Sequence, residues 1–289
     1  MTVDGTEGAL VPSEQSGFGT EPQARVARGL DTSVAHPARV YNYWLGGKDN
    51  FAADRAAAEA AVAANPLVLQ GVRANRAFLG RAVRFLAGDR GIRQFLDIGT
   101  GIPAAENTHE VAQAVAPDCR VVYVDNDPIV LVHARALLAS TPQGATAYIE
   151  ADLRDPDTIL RQAAATLDFS QPVAVTLLAI LQNLPDSTRP HAIVAGLMEA
   201  VPSGSWLVIS HPAGDIMPEA MAEMGKRLNA RQSPDDQVTF RHYEEVCRFF
   251  DGLEFLEPGV VQPHRWRPDR HDPVDGGDLS AWCGVACKP

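Results

Sequence analysis

A short apolar run that ends in an acid and then a glycine loop, Phe95-Leu96-Asp97-Ile98-Gly99-Thr100-Gly101, constrains this chain more than any other feature. Phe95 to Ile98 read as a buried strand. The glycines at 99 and 101 lack a Cβ, so the loop can turn tightly and bring backbone N–H groups close to a ligand. Pro103 is placed to open the next helix. A strand, a glycine turn and a helix make the first unit of a nucleotide-type sheet, and such a sheet needs further units of the same kind.

Those units follow. Short apolar runs predict strands over 93–98, 120–124, 145–149, 173–179 and 205–209, separated by helical stretches near 106–116, 128–139, 156–167 and 189–200. That alternation predicts an α/β fold with a parallel sheet. Beyond residue 210 the pattern changes to helices near 216–230 and 242–250, a short apolar stretch at 253–256, Val260-Val261, and a last strand over 281–286. This ending reads as a hairpin that closes one side of the sheet with an antiparallel strand.

Ahead of the sheet, residues 1–30 are rich in Gly, Ser, Glu, Gln and Thr, a composition that cannot bury enough surface to offset chain entropy, and they read as a disordered tail. Residues 31–90 read as three helices forming an N-terminal cap, and 91–289 as the sheet domain. The third helix carries an apolar stripe at Val68, Val72, Leu79, Val83 and Leu86, with Asn75 on the same stripe. A buried Asn needs partners: a neighbouring helix backbone or a ligand.

The chain of 289 residues has 25 Lys plus Arg against 36 Asp plus Glu, a net charge of −11 with no basic run, which disfavours nucleic acid as a partner. No stretch of about 18 apolar residues and no basic-then-apolar N-terminus suggest a membrane span or signal peptide, so a cytoplasmic protein is expected. Cys119, Cys247, Cys283 and Cys287 form no Cys-x-x-Cys pair, and no metal site is expected.

The glycine loop alone also fits the G-x-G-x-x-A of dinucleotide enzymes. Asp125, at the end of the second strand and 24 residues past Gly101, is placed to accept from both ribose hydroxyls, a spacing that suits NAD and S-adenosylmethionine equally. Asp152 ends the third strand, where a carboxylate can accept from an adenine amino group while apolar neighbours such as Leu153 flank the ring; the alternative is a helix cap. Asp97 separates the two cofactors. A carboxylate beside a pyrophosphate would repel it, whereas a sulfonium and an ammonium attract one.

At this point the sequence resembles the class I S-adenosylmethionine-dependent methyltransferases, whose seven-stranded sheet ends in such a hairpin. Residues 38–51 (ARVYNYWLGGKDNF), 74–78 (ANRAF), 94–101 (QFLDIGTG) and 122–128 (VYVDNDP) are more narrowly similar to the actinobacterial S-adenosyl methyltransferase family, formerly a domain of unknown function, from about residue 35 onward. The resemblance implies a Rossmann-like fold of mostly parallel strands under an N-terminal helical cap. It also implies S-adenosylmethionine as cofactor, with Gly99, Thr100 and Gly101 at its methionine part, Asp125 at the ribose, Asn126 and Asp152 at the adenine, and Ala179 in the same set. Asp127 reads as the cap of the helix opened by Pro128.

The segment Tyr41-Asn42-Tyr43-Trp44-Leu45-Gly46-Gly47-Lys48-Asp49 reads as a lid. Tyr41 and Trp44 either stack on substrate or form the face that docks this helix. The sequence departs from the family pattern at Gln182, where the family usually carries His, and Gln cannot act as a general base. His211, just after strand five, is then the first candidate base. The expected function is methyl transfer from S-adenosylmethionine to a small-molecule acceptor, with Tyr41, Trp44, Lys48, Asn75 and Gln182 on the acceptor side. The alternatives are an NAD-dependent oxidoreductase and a cofactor-binding regulatory protein without catalysis.

Overall fold

Alternation along the strands sorts the apolar side chains onto two faces, as a period of two requires. Leu96, Ile98, Val122, Val124, Val175, Leu177, Leu207 and Ile209 enter the core on one face; Phe95, Val121, Tyr123, Ala174, Trp206 and Val208 enter the core on the other. The strands are β1 (Gln94–Ile98), β2 (Arg120–Asp125), β3 (Ala145–Glu150), β4 (Ala174–Leu178), β5 (Trp206–Pro212), β6 (Glu254–Phe255) and β7 (Ala281–Cys287). Their order is β3-β2-β1-β4-β5-β7-β6. Strands β1 to β5 pair in parallel, and β7 runs antiparallel between β5 and β6. The closing antiparallel strand is therefore present, with β6 reduced to two residues.

This computed structural model describes residues 1, 31–137, 140–230, 232–269 and 277–289. The tail expected over 1–30 and the end of the helix expected over 128–139 lie outside the described residues. Helices α1 (Pro37–Trp44), α2 (Ala52–Ala64) and α3 (Val68–Gly88) precede the sheet; α4 (Thr108–Val115), α5 (Pro128–Leu137), α6 (Pro156–Ala163), α7 (Pro190–Glu199), α8 (Pro218–Asn229) and α9 (Tyr243–Cys247) alternate with its strands. No helix among the described residues is long and apolar enough to cross a membrane.

The stripe of α3 is what binds the cap to the sheet. Val72, Leu79, Val83 and Leu86 are buried, and Phe78 meets Trp266 edge-on at 5.2 Å in the core under β7. Only a short connection separates Gly88 from β1, so α3 runs antiparallel to the strands and its first half lies at their C-terminal ends. Arg76 fixes that placement by donating to the carbonyls of Ala105 and Glu106, at 2.8 and 2.9 Å, in the loop after β1.

Among the boundaries that differ from the sequence reading, three have a clear local reason. Pro103 does not open a helix: α4 begins at Thr108, after Asn107, whose N–H donates to Glu110 at 2.8 Å. Strand β4 stops at Leu178 because Ala179 adopts φ +51°. Strand β5 runs on to Pro212, held by pairing with β7 as far as Ala281. His211 is thus inside a central strand rather than after one.

Candidate active site

The C-terminal ends of β1, β2 and β3 bring together Gly99, Gly101, Asp125 and Asp152. Gly99 and Gly101 both take left-handed conformations, φ +76° and +67°, which glycine reaches without steric cost. The loop's amides point inward. Gly99 N donates to the Val124 carbonyl at 2.8 Å, and Gly101 N donates to Asp125 Oδ2 at 2.8 Å. What the loop offers a ligand is therefore room at Gly101 rather than donors: a Cβ there would meet nothing within 4 Å. Because α4 starts only at Thr108, no helix N-terminus follows the loop to receive a phosphate.

Asp125 is buried, and its second oxygen accepts from Asp127 N at 2.9 Å. Burial raises its pKa, partly offset by those two backbone bonds. Two amides leave lone pairs on both oxygens unused.

Asp97 spends its carboxylate on protein hydroxyls. Its carboxylate is buried beneath the loop, accepting from Thr108 Oγ1 at 2.6 Å and Thr176 Oγ1 at 2.9 Å, and burial raises its pKa. It staples β1 to β4 and to the start of α4, and so holds the strand end from which the loop leaves. Asp152 is likewise occupied. Arg154 donates to it from the backbone, Nε and Nη2 at 2.8, 2.9 and 2.7 Å, and Asn126 Nδ2 lies 3.3 Å away; desolvation opposes these contacts, yet its pKa is lowered. The helix after it is capped by Asp155, not by Asp152. Leu153 is buried in the core beside them.

On the other side of β1, Gln182 follows β4 in a short 3-10 turn, and its Nε2 donates to the Ala179 carbonyl at 2.6 Å while Oε1 is buried without a partner. Ile180 packs on Gly99. Above, Asn75 Nδ2 donates to the Tyr41 hydroxyl at 2.8 Å, and the hydroxyl is 3.5 Å from the Val72 carbonyl. Asn75 therefore joins α3 to α1. Trp44 meets Tyr41 edge-on at 6.5 Å, donates to the Ala58 carbonyl, and lines a groove of about 600 Å³ among the cap helices. Lys48 is exposed.

His211 is enclosed by the protein on both sides of its ring. It is 1% exposed, its Nδ1 lies 2.8 Å from the Pro212 carbonyl, and its Nε2 accepts from Arg241 Nη1 at 3.1 Å. A carbonyl can only accept, so Nδ1 carries the proton and both nitrogens are committed. Burial, with the Arg241 charge in support, pushes its pKa down to about 3. The unfolded chain then binds a proton that the native protein excludes between the ordinary histidine value and about 3. Stability contributed by neutral His211 is full above about pH 6.5 and is lost on acidification, at up to roughly 1.4 kcal/mol per pH unit. Denaturant midpoints of wild type and His211→Gln between pH 7 and 5 should converge as pH falls; parallel curves would contradict this origin.

Sequence reasoning missed three arginines that organise the site. Arg241 is buried and holds the turn after β4 through the carbonyls of Leu181 and Leu184, at 3.0 and 2.8 Å. Arg154 clamps Asp152, and Arg39 is buried against Asp127.

The sheet order, the antiparallel β7 and acids at the ends of β1 to β3 define the Rossmann-like class I methyltransferase fold. The chain belongs to the S-adenosyl methyltransferase family, whose model matches residues 23–289. A Streptomyces avermitilis protein of the DUF574 family is 46% identical and superposes with a TM-score of 0.85, over 90% of this chain and 99% of that one. A Thermobifida fusca protein described as a candidate methyltransferase is 41% identical with a TM-score of 0.82, over 90% and 97% of the respective chains. No curated protein matches the sequence.

Proposed function

We propose that this chain transfers a methyl group from S-adenosylmethionine to a small-molecule acceptor. The observation that carries the reading is the Asp125–Gly101 hydrogen bond. It fixes a carboxylate with unused lone pairs at the end of β2, beside a loop with open space in front of it. A ribose fits that arrangement. A pyrophosphate does not, because the loop amides are spent and no helix N-terminus follows.

The cofactor, when bound, supplies an electrophilic methyl group on a sulfonium. Asp125 holds the ribose hydroxyls, Gly101 leaves room for the methionine part, and the Asn126–Asp152 pair lies at the adenine end. Tyr41, Asn75 and Gln182 border the acceptor side. Gln182 has no titratable group and His211 is committed, so the residues around the site align an acceptor whose nucleophilic lone pair is already available, and exclude water from it. The 31–90 segment serves as the cap over this site.

Calorimetry with S-adenosylhomocysteine and with NADH tests the cofactor, and transfer of labelled methyl groups to a metabolite panel tests turnover. Binding of NADH without response to the thioether would overturn the reading; thioether binding with no transfer to any acceptor would favour a regulatory role. Asp125→Ala should weaken thioether binding by roughly 1.5–3 kcal/mol, the scale of hydrogen bonds to a charged group. Unchanged affinity would remove Asp125 from the site.

A further inference from the structure

We infer that Arg39 is a positioning residue for the cofactor site, acting from the cap through Asp127 on Asp125. The inference rests on the cofactor reading above.

Three carboxylates, Asp54, Asp125 and Asp127, are almost completely buried at 0, 8 and 1% exposure where the cap meets the end of β2. Such a concentration of acid is costly unless cations and donors offset it. Arg39, itself 4% exposed, lies between two of them: its Nε is 3.3 Å from Asp127 Oδ2 and 3.8 Å from Asp54 Oδ1. His36 Nδ1 approaches the same Asp127 oxygen at 3.1 Å. Asp54 is tied to the cap by the N–H groups of His36 and Phe51, at 2.9 and 2.7 Å.

Asp127 passes this hold on. Its other oxygen accepts from Ile129 N at 2.9 Å, as expected of a helix cap, and its own N–H donates to Asp125 Oδ1 at 2.9 Å. Asp125 Oδ2 in turn accepts from Gly101 N. One continuous series therefore runs from α1 through Asp127 and Asp125 to the glycine loop. Without the guanidinium, Asp127 and Asp54 lose their shared cation. Asp127 then gains by turning toward water, which moves the amide that orients Asp125. The ribose acid is set from the cap, so docking of the cap and binding of the cofactor are coupled.

The test is the affinity of the full chain for S-adenosylhomocysteine, by calorimetry, with unliganded melting curves beside it. Arg39→Lys keeps the charge but loses the planar geometry, and Asp127→Asn keeps the shape but loses the charge; both avoid the two uncompensated acids of an alanine variant. Each should weaken binding about fivefold or more, and in an Asp125→Ala background the Arg39→Lys effect should shrink below about twofold, as expected of residues acting in one series. A merely structural pair would lower the melting temperature and leave the affinity of the folded protein within twofold of wild type; that result, or additive effects in the double variant, overturns the inference alone. A wild type that does not bind the thioether overturns the cofactor reading and this inference together.

Discussion

Replacing Arg241 by leucine is expected to cost about 3–5 kcal/mol of folding stability, the largest loss from any single side chain named above. The guanidinium is 1% exposed, and its donors satisfy two carbonyls, Leu181 and Leu184, and the acceptor nitrogen of His211. Leucine fills part of the volume and satisfies none of them. Each buried acceptor left without a partner costs about 1–3 kcal/mol. The Asp186 contact, at 2.7 Å, weighs little in this balance because its carboxylate is 69% exposed and water replaces the lost partner. Asp186→Asn should therefore change stability by less than about 1 kcal/mol. Urea unfolding of the two variants separates the contributions, and an Arg241→Leu loss below about 1 kcal/mol would refute the structural role. Because Arg241 holds the turn that carries Gln182 and, through it, the Ala179 carbonyl, methyl transfer should fall with stability.

Features that follow from local pattern are legible in the sequence. Alternating apolar runs gave β1 to β5 and the hairpin, since each strand's burial is written in its own residues. Gly99 and Gly101 announced their left-handed turns. Partnerships between distant segments were not legible. Nothing near Asp97 in the sequence says that Thr176, 79 positions away, donates to its carboxylate. The placement of His211 was hidden for a related reason: the extension of β5 depends on pairing with β7, some seventy residues on, and that pairing carries the imidazole inside. Arg241 lies 60 residues from the Leu181 carbonyl it satisfies, in a stretch with no periodicity of its own. The cap showed both behaviours. The stripe of α3 was readable, whereas the Arg39–Asp127 contact, which ties that cap to the site, required the fold.

Alanine at Gly99 should damage both stability and binding, whereas alanine at Gly101 should damage mainly binding. Both positions have left-handed backbones, which cost an alanine roughly 1–2 kcal/mol. At Gly99 the new Cβ would also lie 2.5–2.7 Å from three atoms of the Ile180 side chain, closer than carbon atoms approach, and overpacking of this kind costs about 1–3 kcal/mol more. The β-carbon of Ile180 is itself one of the three, at 2.6 Å, so Ile180→Ala relieves the contact only in part. Relief must come from the loop, which moves Gly101 N away from Asp125. Gly99→Ala should thus lose both stability and affinity for S-adenosylhomocysteine. At Gly101 the Cβ meets no atom of the protein within 4 Å, so the unliganded protein should lose only the backbone cost, while the methyl group occupies space assigned above to the cofactor. Unfolding curves with and without the thioether read both quantities. A Gly101→Ala protein that binds as tightly as wild type would show that the space before this glycine is not where the cofactor lies. A Gly99→Ala protein as stable as Gly101→Ala would show that Ile180 yields more readily than its packing on the loop implies.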